Sequence, residues 1–536
     1  MKEGHKWFFF QLYFKNIFKR KNDNKRQRNN DPTAPLTRRR HWLPFSKISG
    51  RLFLVYILIV LLGGILLSIP GFVHSGERMV LDGKGKILDH SVTFAWNYLI
   101  GLFTASSAFS DTGITISNPA ADYTFWGQLV ILILIQTGGF GIVTFKIMIF
   151  VWLGRRISIK DKMLVQGERG SSNFGHTMDL IKNSFIFLII LECFGAILLF
   201  CNFYFSELSV EGKFMIDNVT YHNFWRSLWS GVFHSISSIN NAGFDIIGNS
   251  SLMPYNTNYF IQFVFLFQFI IGGLGFPTFY DLKRKFVALR RKEHVKFTLF
   301  TKINLITYIG LSIVGVFSVW LIEFTNINTI MLETGQYVES ILRNSKSNWN
   351  GFMNIFFNTM STRNAGYSTV EMSNFLPGSR IVMSIMLFIG SAPSSTAGGI
   401  RTTTLAVIII TIWSIIRNNN SVNAFKRKIP NETVKRALAV TVISGALIAI
   451  AIICISAENP HLDVLNTFFT ICSAFGTTGL STLNFTELYN IGILSTLILI
   501  LLMFIGQLGV SSTLLVSIRG SGEKEYSYVE ENILIG

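Results

Sequence analysis

The sequence predicts an all-α polytopic membrane protein of eight spans, and three observations carry that prediction. Of 536 residues, 49% are hydrophobic and only 14% are charged. That balance suits a chain whose helices face lipid rather than water. Apolar runs near 20 residues recur at 52–72, 127–153, 182–204, 258–280, 300–323, 379–416, 433–456 and 491–516. Finally, the basic residues cluster between these runs, at 153–162, 281–296 and 417–428, where they mark the cytoplasmic side.

The net charge of +17 has its largest single source in residues 1–45, which carry twelve Lys and Arg against Glu3, Asp23 and Asp31. Basic runs of this kind also occur in nucleic-acid binders. Their position between apolar spans favours topology over nucleic acid, so no nucleic-acid partner is expected. Eight spans return both termini to the cytoplasm. The stretch KWFFFQLYFKNIFKRK (6–21) has the pattern of a helix lying on an anionic lipid surface. The first long apolar run begins near residue 52, behind a basic tail, so no cleavable signal is expected. Cys193, Cys201, Cys454 and Cys472 lie in apolar segments without metal-ligand spacing and read as inert buried thiols.

Between paired spans lie four stretches of a second kind: WNYLIGLFTASSAFSDTGITI (96–116), FWRSLWSGVFHSISSINNAGFDII (224–247), WNGFMNIFFNTMSTRNAGYSTV (349–370) and LDVLNTFFTICSAFGTTGLSTL (462–483). Aligned on Gly113, Gly243, Gly366 and Gly479, they repeat at intervals of 130, 123 and 113 residues. The unit is span, pore helix with re-entrant loop, span. A dozen helical residues reach only ~18 Å, about half of a ~30 Å hydrocarbon core, so each stretch must return as irregular backbone. Such backbone is tolerated only where protein or a water-filled cavity surrounds it. Four loops around one central pore would present a ring of carbonyl oxygens able to replace the water shell of a cation. Glycine is required because crowded, strained backbone leaves no room for a Cβ. Helix ends aimed at the cavity below would add their negative dipole ends.

The expected organisation is a basic cytoplasmic tail (1–50), repeats at 51–180, 181–297, 298–430 and 431–518, and a cytoplasmic tail (519–536). The expected ion-binding positions are Asp111, Thr112 and Gly113; Asn241, Ala242 and Gly243; Asn364, Ala365 and Gly366; and Thr477, Thr478 and Gly479. A further feature interrupts the long run 379–416. The stretch GSAPSSTAGGIRTTT (390–404) clusters Gly390, Pro393, Ser394, Ser395, Gly398 and Gly399, all poor helix formers. As one helix, 381–416 would be ~54 Å long, so a break is expected.

Several of these motifs resemble the Trk/Ktr/HKT cation-transporter superfamily. SSINNAGFD (237–245), STRNAGYSTV (361–370) and SAFGTTGLST (473–482) are similar to its pore loops. QTGGFGIVTF (136–145) and IGGLGFPTF (271–279) are similar to its pore-lining second spans. The 390–404 stretch and the tail YSYVEENILIG (526–536) resemble KtrB-type membrane subunits of bacterial Ktr potassium uptake systems.

The resemblance implies potassium uptake, with sodium as a further candidate ion, and no enzymatic activity. It makes Gly390, Pro393, Ser394, Ser395, Thr396, Ala397, Gly398 and Gly399 an intramembrane gate beneath the filter. It implies a homodimer of two pores on a cytosolic nucleotide-binding, RCK-type subunit ring; the chain has no Rossmann fingerprint, so any nucleotide belongs to that partner. Glycine in all four loops resembles potassium-selective members, whereas serine in the first goes with sodium-permeable relatives. Without two extra amino-terminal spans, the chain resembles Ktr more than Trk members.

Two departures stand out. Gln507 occupies a position where the family carries a basic residue touching the gate, and Val529 stands where proline is usual. Removal of that charge leaves either a looser gate or compensation by Arg401. Asp111 has two readings: a carboxylate raising the outer cation concentration, or a side chain behind the filter that hydrogen-bonds the loop. Glu192 is an intramembrane charge, functional by default; Lys146 can snorkel to the cytoplasmic side. Arg363 is expected to bond loop carbonyls from behind, and His234 to pack. The rival readings are a Trk-type or sodium-conducting relative and an integral-membrane enzyme. The latter would need a nucleophile, metal ligands or an acid pair, which nine scattered histidines do not supply.

Overall fold

In the computed structural model the described residues are 48–69, 71–73, 94–141, 174–206, 220–248, 251–326, 330–331, 337–338, 340–345, 347–419 and 421–510. The expectations for Lys146, for Val529 and for the two tails lie outside them. The described residues are mostly helical, with connecting loops and two short antiparallel strand pairs, Ile330–Met331 with Tyr337–Val338 and Asn423–Ala424 with Arg427–Lys428.

Each of the eight expected apolar runs contains described helix, and 127–153 and 491–516 continue past the described residues. Sorted by the expected repeats, repeat 1 contains α1 (Ile48–Leu66), the short α2 (Phe94–Phe109) and α3 (Phe125–Phe140). Repeat 2 contains α4 (Phe174–Phe205), which starts ahead of the expected boundary at 181, α5 (Phe224–Ile239), α6 (Tyr259–Gly273) and α7 (Phe276–Arg290). Repeat 3 contains α8 (Leu299–Thr325), α9 (Asn348–Ser361), α10 (Pro377–Phe388) and α11 (Thr402–Ile416). Repeat 4 contains α12 (Asn431–Glu458), α13 (Val464–Gly476) and α14 (Ile493–Leu508).

Among the described residues, Asn183–Phe205, α8 and α12 are each long and apolar enough to cross a membrane alone. The pair α6–α7 makes a fourth, but it bends by 99°. The run 258–280 is therefore not the single straight span expected. Gly275 breaks it at φ +80°, and Pro277 starts α7 without needing a backbone donor. The backbone N–H freed at Phe276 donates to Ser394 O (3.1 Å) in another repeat. α3 and α14 likewise stop at positive-φ glycines, Gly141 (φ +74°) and Gly509 (φ +82°), whereas α10 stops at Phe388, ahead of a loop that holds Gly399 (φ +76°).

Packing is inverted relative to a water-soluble protein. The long spans expose Ile190, Phe194, Ile197, Ile313, Val442 and Ile453, each more than half accessible. The short helices bury Ser, Thr and Asn instead, among them Thr104, Ser107, Ser237, Ser238, Asn354, Asn358, Thr470 and Ser473. An apolar exterior over a polar interior is what lipid selects and water does not. The buried hydroxyls and amides bond the loops that follow. Ser237 Oγ donates to Phe244 O (2.8 Å), Thr369 N to Asn358 Oδ1 (3.0 Å) and Gly479 N to Ser473 Oγ (3.1 Å).

Candidate functional site

Each short helix ends in the same way. Asp111 (φ +51°), Asn241 (φ +57°), Asn364 (φ +76°) and Thr477 (φ +50°) take the left-handed conformation just past their helices. In three repeats the next N–H reaches back five residues: Thr112 to Ser107 O (2.9 Å), Ala242 to Ser237 O (2.8 Å) and Thr478 to Ser473 O (3.0 Å). This is Schellman closure, with Asp or Asn standing where glycine is usual. Their short polar side chains tolerate this region; a β-branched Thr477 is strained there.

The four repeat glycines then meet. Gly113, Gly243, Gly366 and Gly479 all have positive φ, between +68° and +99°. A Cβ on Gly113 would lie 2.5 Å from Ala242 O, and one on Gly243 would lie 2.8 Å from Gly366 Cα and 3.1 Å from Ala365 O. A Cβ on Gly366 would strike Thr478 O, and one on Gly479 would strike Thr112 O and lie 3.1 Å from Gly113 Cα. Contact passes from repeat 1 to 2, 3, 4 and back to 1. The ring is closed, and the carbonyls of Thr112, Ala242, Ala365 and Thr478 stand between its glycines.

The predicted ring residues thus divide into two kinds. Thr112, Ala242, Ala365 and Thr478 with their glycines form the ring; Asp111, Asn241, Asn364 and Thr477 lie behind or beneath it and tie it to other helices. Asn241 accepts from Gly273 N (3.2 Å) and donates to Phe269 O (3.1 Å) when its amide is oriented to satisfy both. Asn364 Nδ2 donates to Gly476 O of repeat 4. Asp111 is fully buried and its Oδ2 accepts from Gln507 Nε2 (3.2 Å) of α14.

The interruption at 390–401 is a loop between α10 and α11, and its neck is closed by a parallel bridge between Ile389 and Ile400. It bonds repeats 2 and 4 directly and reaches repeat 1 through Gln507. Ala392 N donates to Gly273 O (3.1 Å) in repeat 2, and Gly399 N to Gly506 O (3.2 Å) in repeat 4. Gly398 N donates to Thr477 Oγ1 (2.7 Å), a bond that anchors the strained threonine. Gln507 Nε2 bridges Thr396 O (3.1 Å) to Asp111 of repeat 1. Gly390, Ser391, Ala392, Thr396, Ala397, Gly398 and Gly399 are buried, and Pro393 and Ser394 are half-buried. Ser394 takes φ +60°.

Two arginines hold the loop's ends. The fully buried Arg363 donates to Ile389 O (2.5 Å) and Gly390 O (3.1 Å) and lies 5.0 Å over the Tyr308 ring. Arg401 donates to Ala397 O and to Gln507 O (3.1 Å). The Arg401 guanidinium thus lies against the backbone of Gln507. Sequence reasoning missed Tyr367, whose OH donates to Ser237 Oγ (2.7 Å) and Phe244 O (3.1 Å) and so couples loops 2 and 3. Its place directly after Gly366 was the only signal. His234 packs as expected, buried with Nδ1 on Ser230 O (2.7 Å).

A closed ring of backbone carbonyls inside a lipid-facing helical shell, with a polar loop lying against the helices that carry it, defines an integral-membrane protein built for small-ion passage rather than for chemistry. The comparisons agree. The family model described as "TrkH: Cation transport protein" matches residues 77–524, and the chain belongs to that family of cation transport proteins. An uncharacterized cation transporter of Mycoplasma genitalium is 33% identical over 91% of this chain and 97% of its own length. Ktr system potassium uptake protein D of Bacillus subtilis is 30% identical over 90% of this chain and 96% of its own. The crystal structure of the potassium transporter TrkH from Vibrio parahaemolyticus shares the fold, with a TM-score of 0.62 at 15% identity over 89% of this chain and 86% of the other.

Proposed function

We propose that this chain takes up potassium across the cell membrane through one central pore per subunit, formed by eight spans in four repeats. The observation that carries the reading is the closed ring of Gly113, Gly243, Gly366 and Gly479 with carbonyls between them. Carbonyl oxygens replace the hydration shell of a monovalent cation, and glycine lets them approach. The similarity to a protein named for potassium uptake supports potassium as the ion. The loop from Gly390 to Gly399, held by Arg363, Arg401 and Gln507, is the gate beneath this filter.

The repeats span 51–180, 181–297, 298–430 and 431–518, between cytoplasmic tails at 1–50 and 519–536. The working unit is a homodimer in the plasma membrane with a cytosolic ring of nucleotide-binding subunits, and the nucleotide is bound by that partner. The test is rubidium uptake by cells lacking their own potassium systems, for wild type and Gly243→Ser, with and without a Ktr-type cytosolic subunit. Potassium-selective uptake that the serine variant loses, with sodium entering instead, supports the filter. No cation flux from protein confirmed in the membrane with the partner present would refute the reading.

A further inference from the structure

The 99° bend turns α7 across the direction of α6, and its contacts place it along a membrane boundary. Lys283 Nζ donates to Asn183 Oδ1 (2.8 Å), and Asn183 opens the membrane-crossing stretch of α4. Asp281 Oδ2 accepts from Thr298 N (3.1 Å) and from Thr301 Oγ1 (2.6 Å), where Thr298 caps α8. The middle of α7 is thus level with the point at which two lipid-crossing helices begin. Asp281 and Ala288 face the protein and are buried.

Leu282, Phe286 and Leu289 recur at i, i+4 and i+7 and are 40%, 57% and 64% exposed, so they form an apolar stripe along one side of the helix. Lys285 lies about 60° to one side of Leu282, and Arg290 and Lys283 lie about 80–100° to the other. Arg290 sits 4.6 Å over the Phe286 ring, and Lys285 Nζ sits 4.2 Å over the Phe297 ring. From 281 to 296 the chain carries seven Lys and Arg against Asp281 and Glu293. Among the described residues, the one ion pair these seven make is Arg284 with Asp281 (3.6 Å). An apolar stripe at a membrane boundary calls for acyl chain, and the cations along its rim call for anions. A phospholipid with an anionic headgroup supplies both in one molecule. We propose that α7 is a docking surface for anionic phospholipid, whose chain lies on Leu282, Phe286 and Leu289 and whose headgroup meets Lys283, Lys285 and Arg290. The surface starts beside the 390–401 loop: Phe276 N donates to Ser394 O (3.1 Å), and a Cβ on Gly275 would lie 2.7 Å from Pro393 O. It is independent of which ion the ring passes.

The test uses the full chain in phosphatidylcholine vesicles, with its four cysteines replaced by alanine and a fluorophore on His294→Cys, an exposed position just past α7. Quenching by phosphatidylglycerol with a nitroxide on its chain is compared with quenching by phosphatidylcholine carrying the same chain. Phosphatidylglycerol should be preferred by at least about ten-fold; Arg290→Gln should lower the preference about five-fold, and Lys283→Gln/Lys285→Gln/Arg290→Gln should bring it near unity. The charge-keeping Lys283→Arg/Lys285→Arg/Arg290→Lys should retain it. So should Lys426→Gln/Arg427→Gln/Lys428→Gln, which removes three exposed charges elsewhere on the chain. If the cysteine-free chain fails to fold, phosphatidylglycerol retained over phosphatidylcholine by the solubilised native chain is compared across the same variants, with the same expected order. A wild-type preference in the glutamine triple at 283, 285 and 290, or an equal loss in the triple at 426–428, overturns α7 as the site. A charge-keeping variant as impaired as the glutamine triple, or displacement of the lipid by low-millimolar inorganic phosphate, overturns docking of an anionic lipid.

Discussion

Gln507→Leu should open the gate. The amide of Gln507 makes one bond to the loop, to Thr396 O (3.1 Å), and a second, to Asp111 Oδ2 (3.2 Å), that lies outside it. A neutral hydrogen bond is worth about 1 kcal/mol net, and the Thr396 bond is the one that movement of the loop would break. Leucine has nearly the same volume, so it adds little cavity penalty. Loss of about 1 kcal/mol from the closed state shifts the closed-to-open ratio about five-fold. A loop about 99% closed would become about 5% open.

The assay is initial rubidium uptake without any cytosolic partner, normalised to protein in the membrane. The expected result is an increase of about five-fold in the rate. The same direction is expected for Thr477→Val, which removes the acceptor for Gly398 N while keeping the side-chain shape. Asp111→Asn, whose bond to Gln507 does not include the loop, should change the rate less than either. Unpartnered uptake within twofold of wild type for both Gln507→Leu and Thr477→Val would refute the argument that these bonds hold the gate.

Further outcomes follow from the same geometry. Gly366→Ala places a methyl 2.7 Å from Gly243 Cα at φ +81° and should abolish rubidium uptake, whereas Gly310→Ala, with open space around it in α8, should leave uptake intact. Tyr367→Phe removes the hydroxyl that ties loop 3 to Phe244 O; the rubidium-to-sodium uptake ratio should fall with total flux little changed. Glu323 accepts from Ser340 Oγ (2.9 Å), Ile341 N (3.2 Å), Leu376 N (3.0 Å) and Ser379 Oγ (2.7 Å). Glu323→Gln should therefore lower stability by about 2–4 kcal/mol, read as a lower Tm in detergent, without altering ion selectivity.

The ring was legible because its requirement is local and stereochemical. A position needing positive φ and no Cβ is written as glycine, and four glycines in register are visible whatever residues surround them. The break at 390–401 was legible for the same kind of reason, since poor helix formers act wherever they stand. The bend at Gly275 was not. The residues around it are as apolar as a straight span, and the bend is held by a carbonyl from Ser394, more than a hundred residues away in sequence. Arg401 on Gln507 and Tyr367 on Phe244 are equally long-range, and no periodicity encodes them.

The positions where the fourfold pattern fails carry a further meaning. Repeats 2 and 3 keep Asn241 and Asn364 at the left-handed turn, while repeats 1 and 4 have Asp111 and Thr477. Repeat 3 alone inserts a loop before its Gly399, and repeat 4 alone places Gln507 two residues before its Gly509. In three dimensions these exceptions touch one another: Asp111 on Gln507, Gln507 on Thr396, and Thr477 on Gly398. Random drift would scatter departures around the ring. They meet around one loop: the symmetric part of the chain is the ring, and the asymmetric part is the set of side chains that bond the loop or its Gln507 partner. The strain of Thr477 at φ +50° fits this view, because a turn that needed only to close its helix would carry asparagine or glycine.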